Sequence, residues 1–208
     1  MKNPVELKYF KDYKHIIGID EAGRGPWAGP MFIAGVLLSI EDLNKAPKVD
    51  DSKKLRSGKR ELLHKEILNW STPYVVKIAP KTIDKDGLTK SLTRACELIV
   101  ETFQDRDGLD LKETLIIQDG KVSYLGKFEH ICQTEVLVSA DSKSVAVAAA
   151  SIVAKVERDN LMKKLSIKYP EYGFDKNKGY ATKDHLEAVR LNGLTPIHRK
   201  SWDLKDKL

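Results

Sequence analysis

Three short apolar runs in this chain end in acid. Ile16-Ile17-Gly18-Ile19 meets Asp20 and Glu21, Leu115-Ile116-Ile117-Gln118 meets Asp119, and Val136-Leu137-Val138-Ser139-Ala140 meets Asp141. Short apolar runs of this kind read as buried strands. A carboxylate at the end of such a strand is costly to desolvate unless it is paired or binds a cation. The pattern therefore asks for a sheet whose strand ends converge on one rim, where acids distant in sequence form one cluster. Carboxylates that close repel each other, and a divalent cation relieves the repulsion. Oxygen-only donors suit Mg²⁺ or Mn²⁺, and no His/Cys set nearby suggests zinc.

The remaining elements follow from periodicity. Residues 31–38 and 73–79 read as further strands. A helix is expected at about 57–69. Leu88, Leu92, Ala95, Leu98, Ile99 and Phe103 place an apolar face on a helix over 87–104. Residues 142–168 predict a long helix, with Val145, Ala149, Ile152 and Val156 as its stripe and enough Ala and Ser to approach a sheet closely; Pro170 stops it. Residues 182–191 open on a Thr cap and end near Gly193, giving another helix. The expected class is α/β: a mixed sheet flanked by helices, with a helical C-terminal extension from about 170 to 208. Residues 1–208 are expected to form one domain, with a short N-terminal extension over 1–14.

The charge balance is +6, with a pI near 9.1, which permits a polyanionic partner without requiring one. Two cysteines, Cys96 and Cys132, stand far apart and outside any Cys-x-x-Cys pattern, which suits reduced, partly buried thiols. Residues 1–15 carry no apolar signal core, and no apolar run is long enough to cross a bilayer. The expectation is a cytoplasmic monomer with no membrane association.

Individually, the acids have plainer readings. Asp119-Gly120 is a turn signature, and Asp141 could cap the helix beginning near Ser142. Asp159 lies four residues after Lys155, and an i,i+4 pair accounts for it. Asp20 and Glu21 should face opposite sides of a strand, so serving one site requires a bend at Glu21, which Gly23 and Gly25 permit. Gly23-Arg24-Gly25 offers bare backbone and a guanidinium suited to phosphate. Tyr180, in Lys178-Gly179-Tyr180, either packs on the core or sets its ring against a sugar or base. Asp51-Ser52-Lys53-Lys54-Leu55 reads as a charged loop.

Together these segments resemble the bacterial type 2 ribonuclease H family, ribonuclease HII. GIDEAGRGPWAGP at 18–30, DSKKL at 51–55, AAASIVAKVERDNLM at 148–162 and YPEYGFDKNKGYATKDHLEAVRLNGLTPIHRKSW at 169–202 match in order, with Trp27 where a smaller aliphatic residue is the usual pattern. The third acid lies in IIQDGK and the fourth in VSADSK, both departures from the family's usual local sequence.

The resemblance implies a ribonuclease H-like fold and a metal-dependent endonuclease acting on the RNA strand of RNA–DNA hybrids. It also implies incision 5′ of single ribonucleotides in duplex DNA, leaving 3′-hydroxyl and 5′-phosphate ends, as in ribonucleotide excision repair. It assigns Asp20, Glu21, Asp119 and Asp141 to metal binding and catalysis. It assigns Gly23, Arg24 and Gly25 with Tyr180 to the ribose, and Ser52 and Lys53 to phosphates. The rivals are ribonuclease HIII, which usually carries an N-terminal substrate-binding domain, a non-catalytic nucleic-acid binder on the same fold, and a nucleotide phosphotransferase. No Gly-x-x-x-x-Gly-Lys-Ser/Thr loop is present, which removes one class of the last.

Overall fold

The computed structural model describes residues 1, 3–49 and 55–202. Five strands form one mixed sheet: β1 (His15–Ala22), β2 (Met31–Leu38), β3 (Tyr74–Ile78), β4 (Thr114–Asp119) and β5 (Gln133–Leu137). Their order is β3-β2-β1-β4-β5. β2 runs antiparallel to both β1 and β3, while β4 runs parallel to β1 and β5. The helices are α1 (Glu6–Tyr9), α2 (Ile40–Asn44), α3 (Ser57–Trp70), α4 (Pro80–Asp86), α5 (Leu88–Asp107), α6 (Val145–Lys168), α7 (Phe174–Asn177) and α8 (Lys183–Asn192). The sequence pattern placed all five strands and the four long helices. It passed over α4, which Pro80 opens at a position where its missing N–H costs nothing.

Strand alternation divides the core into two layers. Ile16, Ala34, Val36, Leu115 and Ile117 face α6 and α3, whereas Ile17, Ile19, Ile33 and Ile116 face α5. Gly18 is where α6 comes closest. A Cβ there would overlap the main chain at Ala146 and Val147, so the small residues of α6 and the glycine of β1 are two sides of one contact. A third cluster, built from Ala28, Met162, Tyr172, Phe174, Ala188 and Val189, joins the C-terminal helices to the far end of α6.

The start of α6 differs from the sequence reading. Its cap is Ser144, whose Oγ accepts from Val147 N–H at 3.1 Å, so Asp141 is not the helix cap. Asp141 sits before it in the short turn Ala140–Ser142. The N-terminal extension docks on the same helix end. The buried Glu6 carboxylate accepts from Ser144 Oγ at 2.6 Å and Ala146 N–H at 3.0 Å. Burial raises the Glu6 pKa against those hydrogen bonds.

Candidate active site

β1 pairs with β2 through Ala22, but its pairing with β4 ends at Ile19 and Gln118. Beyond that point the two parallel strands part, and a cavity of about 260 Å³ opens at the sheet rim. Asp20, Glu21 and Asp119 line it together with Gly23, Arg24, Gly25 and Tyr180. The expected bend at Glu21 is absent, because Glu21 remains in β1 opposite Ile33. Asp20 shares the α6 face and Glu21 the α5 face, as strand alternation requires. The parting of β1 from β4 is what exposes both carboxylates to one space.

Asp20 is strongly perturbed. Burial, then the neighbouring Glu21 charge, pushes its carboxyl up to about 8, and Asp119 adds to the push. A hydrogen bond from Ser151 on α6 and one from Glu21 N–H at 2.7 Å act in the opposite direction. Glu21 lies 3.6 Å from the Arg24 guanidinium, which also donates to Tyr124 Oη at 2.9 Å. Asp119 accepts from Ala140 N–H at 2.7 Å, which ties the end of β4 to the turn carrying Asp141. Asp141 itself is buried and does not line the cavity.

Among the described residues no three His, Cys, Asp or Glu side chains stand close enough together to surround a metal ion. The donor chemistry nevertheless fits a hard divalent cation. Three carboxylates share one cavity, and the most buried of them is pushed toward its neutral form first by burial and then by the charges of the others.

Tyr180 is not a core residue. It is 46% exposed, and its ring stands beside Gly25, 3.9 Å from where a Cβ would lie. Lys155 also lines the cavity and pairs with Asp159 at 2.7 Å, the expected i,i+4 contact. Ser52 and Lys53 lie outside the described residues. Cys96 and Cys132 are free and buried, with burial raising their thiols to about 12 and about 11.

Two buried guanidiniums support the glycine loop, and neither was singled out in the sequence. Arg199 donates to the carbonyls of Gly23, of Arg24 at 2.7 Å and of Gly29 at 3.3 Å. Arg158 donates to Pro30 O at 3.0 Å, Ala28 O at 3.3 Å and Lys178 O at 2.9 Å. Gly23 has φ +89°, and a methyl there would overlap the Arg158 side chain. Arg60 and Ser151 also line the cavity, and neither was singled out as a site residue in the sequence.

The ribonuclease HII family profile matches residues 17–205, nearly all of the chain. The chain belongs to the ribonuclease HII family. Ribonuclease HII of Rickettsia felis is 38% identical over 204 residues, covering 95% of this chain and 97% of that relative. The crystal structure of ribonuclease H2 from Pyrococcus horikoshii superposes with a TM-score of 0.72 at 31% identity, covering 93% of this chain and 96% of that one. The structure of Bst ribonuclease HIII in complex with Mn²⁺ gives a TM-score of 0.74 over 99% of this chain and 72% of that one; its 20% identity is evidence of shared fold alone. The expected ribonuclease H-like fold and ribonuclease H enzyme class are therefore established, and the ribonuclease HII assignment prevails over ribonuclease HIII.

Proposed function

We propose that the protein hydrolyses the RNA strand of RNA–DNA hybrids and incises duplex DNA on the 5′ side of a single embedded ribonucleotide, leaving 3′-hydroxyl and 5′-phosphate ends. The observation that carries this reading is one shared cavity, lined by Asp20, Glu21 and Asp119 from the strands and by the Gly23–Gly25 loop with Tyr180. Charge suited to phosphodiester chemistry thus lies beside bare backbone suited to a sugar hydroxyl. The 2′-hydroxyl is the group by which a protein distinguishes RNA from DNA at a given site.

Asp20, Glu21 and Asp119 would hold Mg²⁺ or Mn²⁺, with Asp141 joining through the turn hydrogen-bonded to Asp119. Two such cations would divide the chemistry, one supplying an activated water and the other stabilisation of the leaving 3′ oxygen. Peptide groups of Gly23, Arg24 and Gly25 meet the 2′-hydroxyl. The Tyr180 ring packs on the next sugar, where an added hydroxyl would fit poorly. Ser52 and Lys53 touch phosphates, and the net positive charge makes substrate binding weaken as salt rises.

End-labelled duplexes with one ribonucleotide, with none and with a continuous RNA strand test the reading. The expected result is metal-dependent cutting 5′ of the single ribonucleotide, with the all-DNA strand intact. Tyr180→Ala should weaken that cut by about tenfold, equivalent to ~1.4 kcal/mol. Cutting of the long hybrid with none at the single ribonucleotide would overturn junction recognition.

A further inference from the structure

The last described loop of the chain grips both halves of the proposed ribose reader. Residues 197–199 lie against 27–29 as an isolated antiparallel bridge: Gly29 N–H donates to Ile197 O at 2.9 Å, and Arg199 N–H to Trp27 O at 2.8 Å. Asp84 of α4 pins the end of this segment, accepting from Lys200 N–H and Ser201 N–H, each at 3.0 Å. From this backbone two buried side chains reach in different directions.

Arg199 reaches the carbonyls of Gly23 and Arg24. A peptide group is planar and trans, so fixing a carbonyl also fixes the N–H that follows it. Gripping these two carbonyls therefore sets the directions of the Arg24 and Gly25 N–H groups.

His198 reaches the other half through a hydrogen-bond chain with one consistent proton assignment. Thr195 N–H can only donate, and it meets His198 Nδ1 at 3.0 Å. Nδ1 is then an acceptor, and the proton of neutral His198 sits on Nε2. That Nε2 lies 3.0 Å from His185 Nε2, which must accept, so the proton of neutral His185 is on Nδ1. His185 Nδ1–H donates to Tyr180 O at 2.8 Å. Tyr180 N–H is held in turn by Asn177 O at 2.9 Å. The main chain of Tyr180 is thus fixed on both sides of an exposed ring. Burial, then the facing His185, pushes His198 down to about 4, and burial lowers His185 as well, so both rings are neutral near pH 7.

We propose that residues 195–199 form a positioning clasp, in which Arg199 orients the Gly23 and Arg24 peptide groups and His198, through His185, orients Tyr180, setting selectivity for a ribose over a deoxyribose. The clasp rests on the reading of Gly23–Gly25 and Tyr180 as the groups that meet the sugar. Neither residue touches substrate, and their effect is on discrimination.

The test is duplex binding in EDTA, where no cutting occurs. Two matched duplexes are compared, one with a single ribonucleotide and one all-DNA, against the wild type, Arg199→Lys, His198→Leu and His198→Gln. The wild type should favour the ribonucleotide duplex. Arg199→Lys, which cannot bridge two carbonyls, should bring the two affinities to within about twofold of each other, a loss on the scale of one net hydrogen bond. Its affinity for the all-DNA duplex should stay at the wild-type level, which a general loss of structure would not allow. His198→Leu should lower the preference, and His198→Gln, whose amide can again donate to His185, should restore it. If Arg199→Lys does not fold, the His198 pair decides. Folded Arg199→Lys or His198→Leu protein with the full wild-type preference would overturn the clasp. A wild type with no preference would instead overturn the ribose reading itself, and the clasp with it.

Discussion

Of the residues lining the cavity, Asp20, Glu21 and Asp119 stand on paired strands and make what can be called its strand wall, while Gly23–Gly25 and Tyr180, its loop wall, belong to loops with no ladder of their own. The strand wall has its backbone fixed by the sheet, while its carboxylates crowd one another: Asp20 is held up at about 8 by burial and by its acidic neighbours. The loop wall shows the reverse. Its backbone lacks sheet pairing, yet Arg199 binds the Gly23 and Arg24 carbonyls, His185, held by His198, binds the Tyr180 carbonyl, and Arg158 ties the flanking carbonyls of Pro30 and Lys178. The crowding of carboxylates on the first wall favours a cation. Hydrogen bonds on the second hold it in place, and under the proposed ribose reading binding need not also order the loop.

The sharpest break of this contrast is Asp119→Asn. It preserves shape while removing charge from the strand wall, and cleavage should fall by at least about a hundredfold, since even outer partners of metal ligands are worth ~10–100-fold. Thermal melting should show the fold intact. Full activity in a well-folded variant would remove Asp119 from the chemistry.

Gly23→Ala strikes the loop wall. The substitution needs a backbone at φ +89° and room that Arg158 already fills. It should lower the melting temperature and cutting at a single ribonucleotide together, with a backbone cost of about 1–2 kcal/mol before any clash. An unchanged melting temperature would mean that the loop is not held as tightly as its hydrogen bonds indicate.

A smaller effect concerns pH. The imidazoles of His185 and His198 face each other, the Tyr180 carbonyl, Thr195 and Tyr172. The folded pKa of His198, about 4, lies below its ordinary 6.5. Between these values the unfolded chain binds more protons, so stability is present above pH 6.5 and is lost as pH falls toward 4. His198→Gln should flatten that part of the profile in denaturant melts. A variant with the wild-type slope from pH 6.5 to 4 would exclude the imidazole pair as its source.

The two walls also differed in how much of each was legible in the sequence. Apolar runs ending in Asp20-Glu21 and Asp119 announced the strand wall, because alternation and the cost of burying charge are both sequence-local. Gly23-Arg24-Gly25 and Tyr180 were visible as a glycine turn and a loop aromatic. Their supports were not. Arg158 and Arg199 look like ordinary surface arginines, and their partners are main-chain carbonyls, which carry no residue signature. Arg199 meets Gly23 across 176 positions. Glu6 was missed for the same reason, since its partners at Ser144 and Ala146 are 138 and 140 positions away. The bend expected at Glu21 was an inference from alternation alone; the end of β1–β4 pairing, a property of two strands together, does that work instead.

The most direct measurement of the separation between the walls is the affinity of Asp119→Asn protein, in EDTA, for the single-ribonucleotide duplex against its all-DNA counterpart. If the strand wall supplies chemistry and the loop wall supplies recognition, this variant should fail to cut when Mg²⁺ or Mn²⁺ is restored, yet bind the ribonucleotide duplex with the full wild-type preference. Loss of that preference along with cleavage, in a folded protein, would show that the acids take part in reading the sugar and would contradict the division.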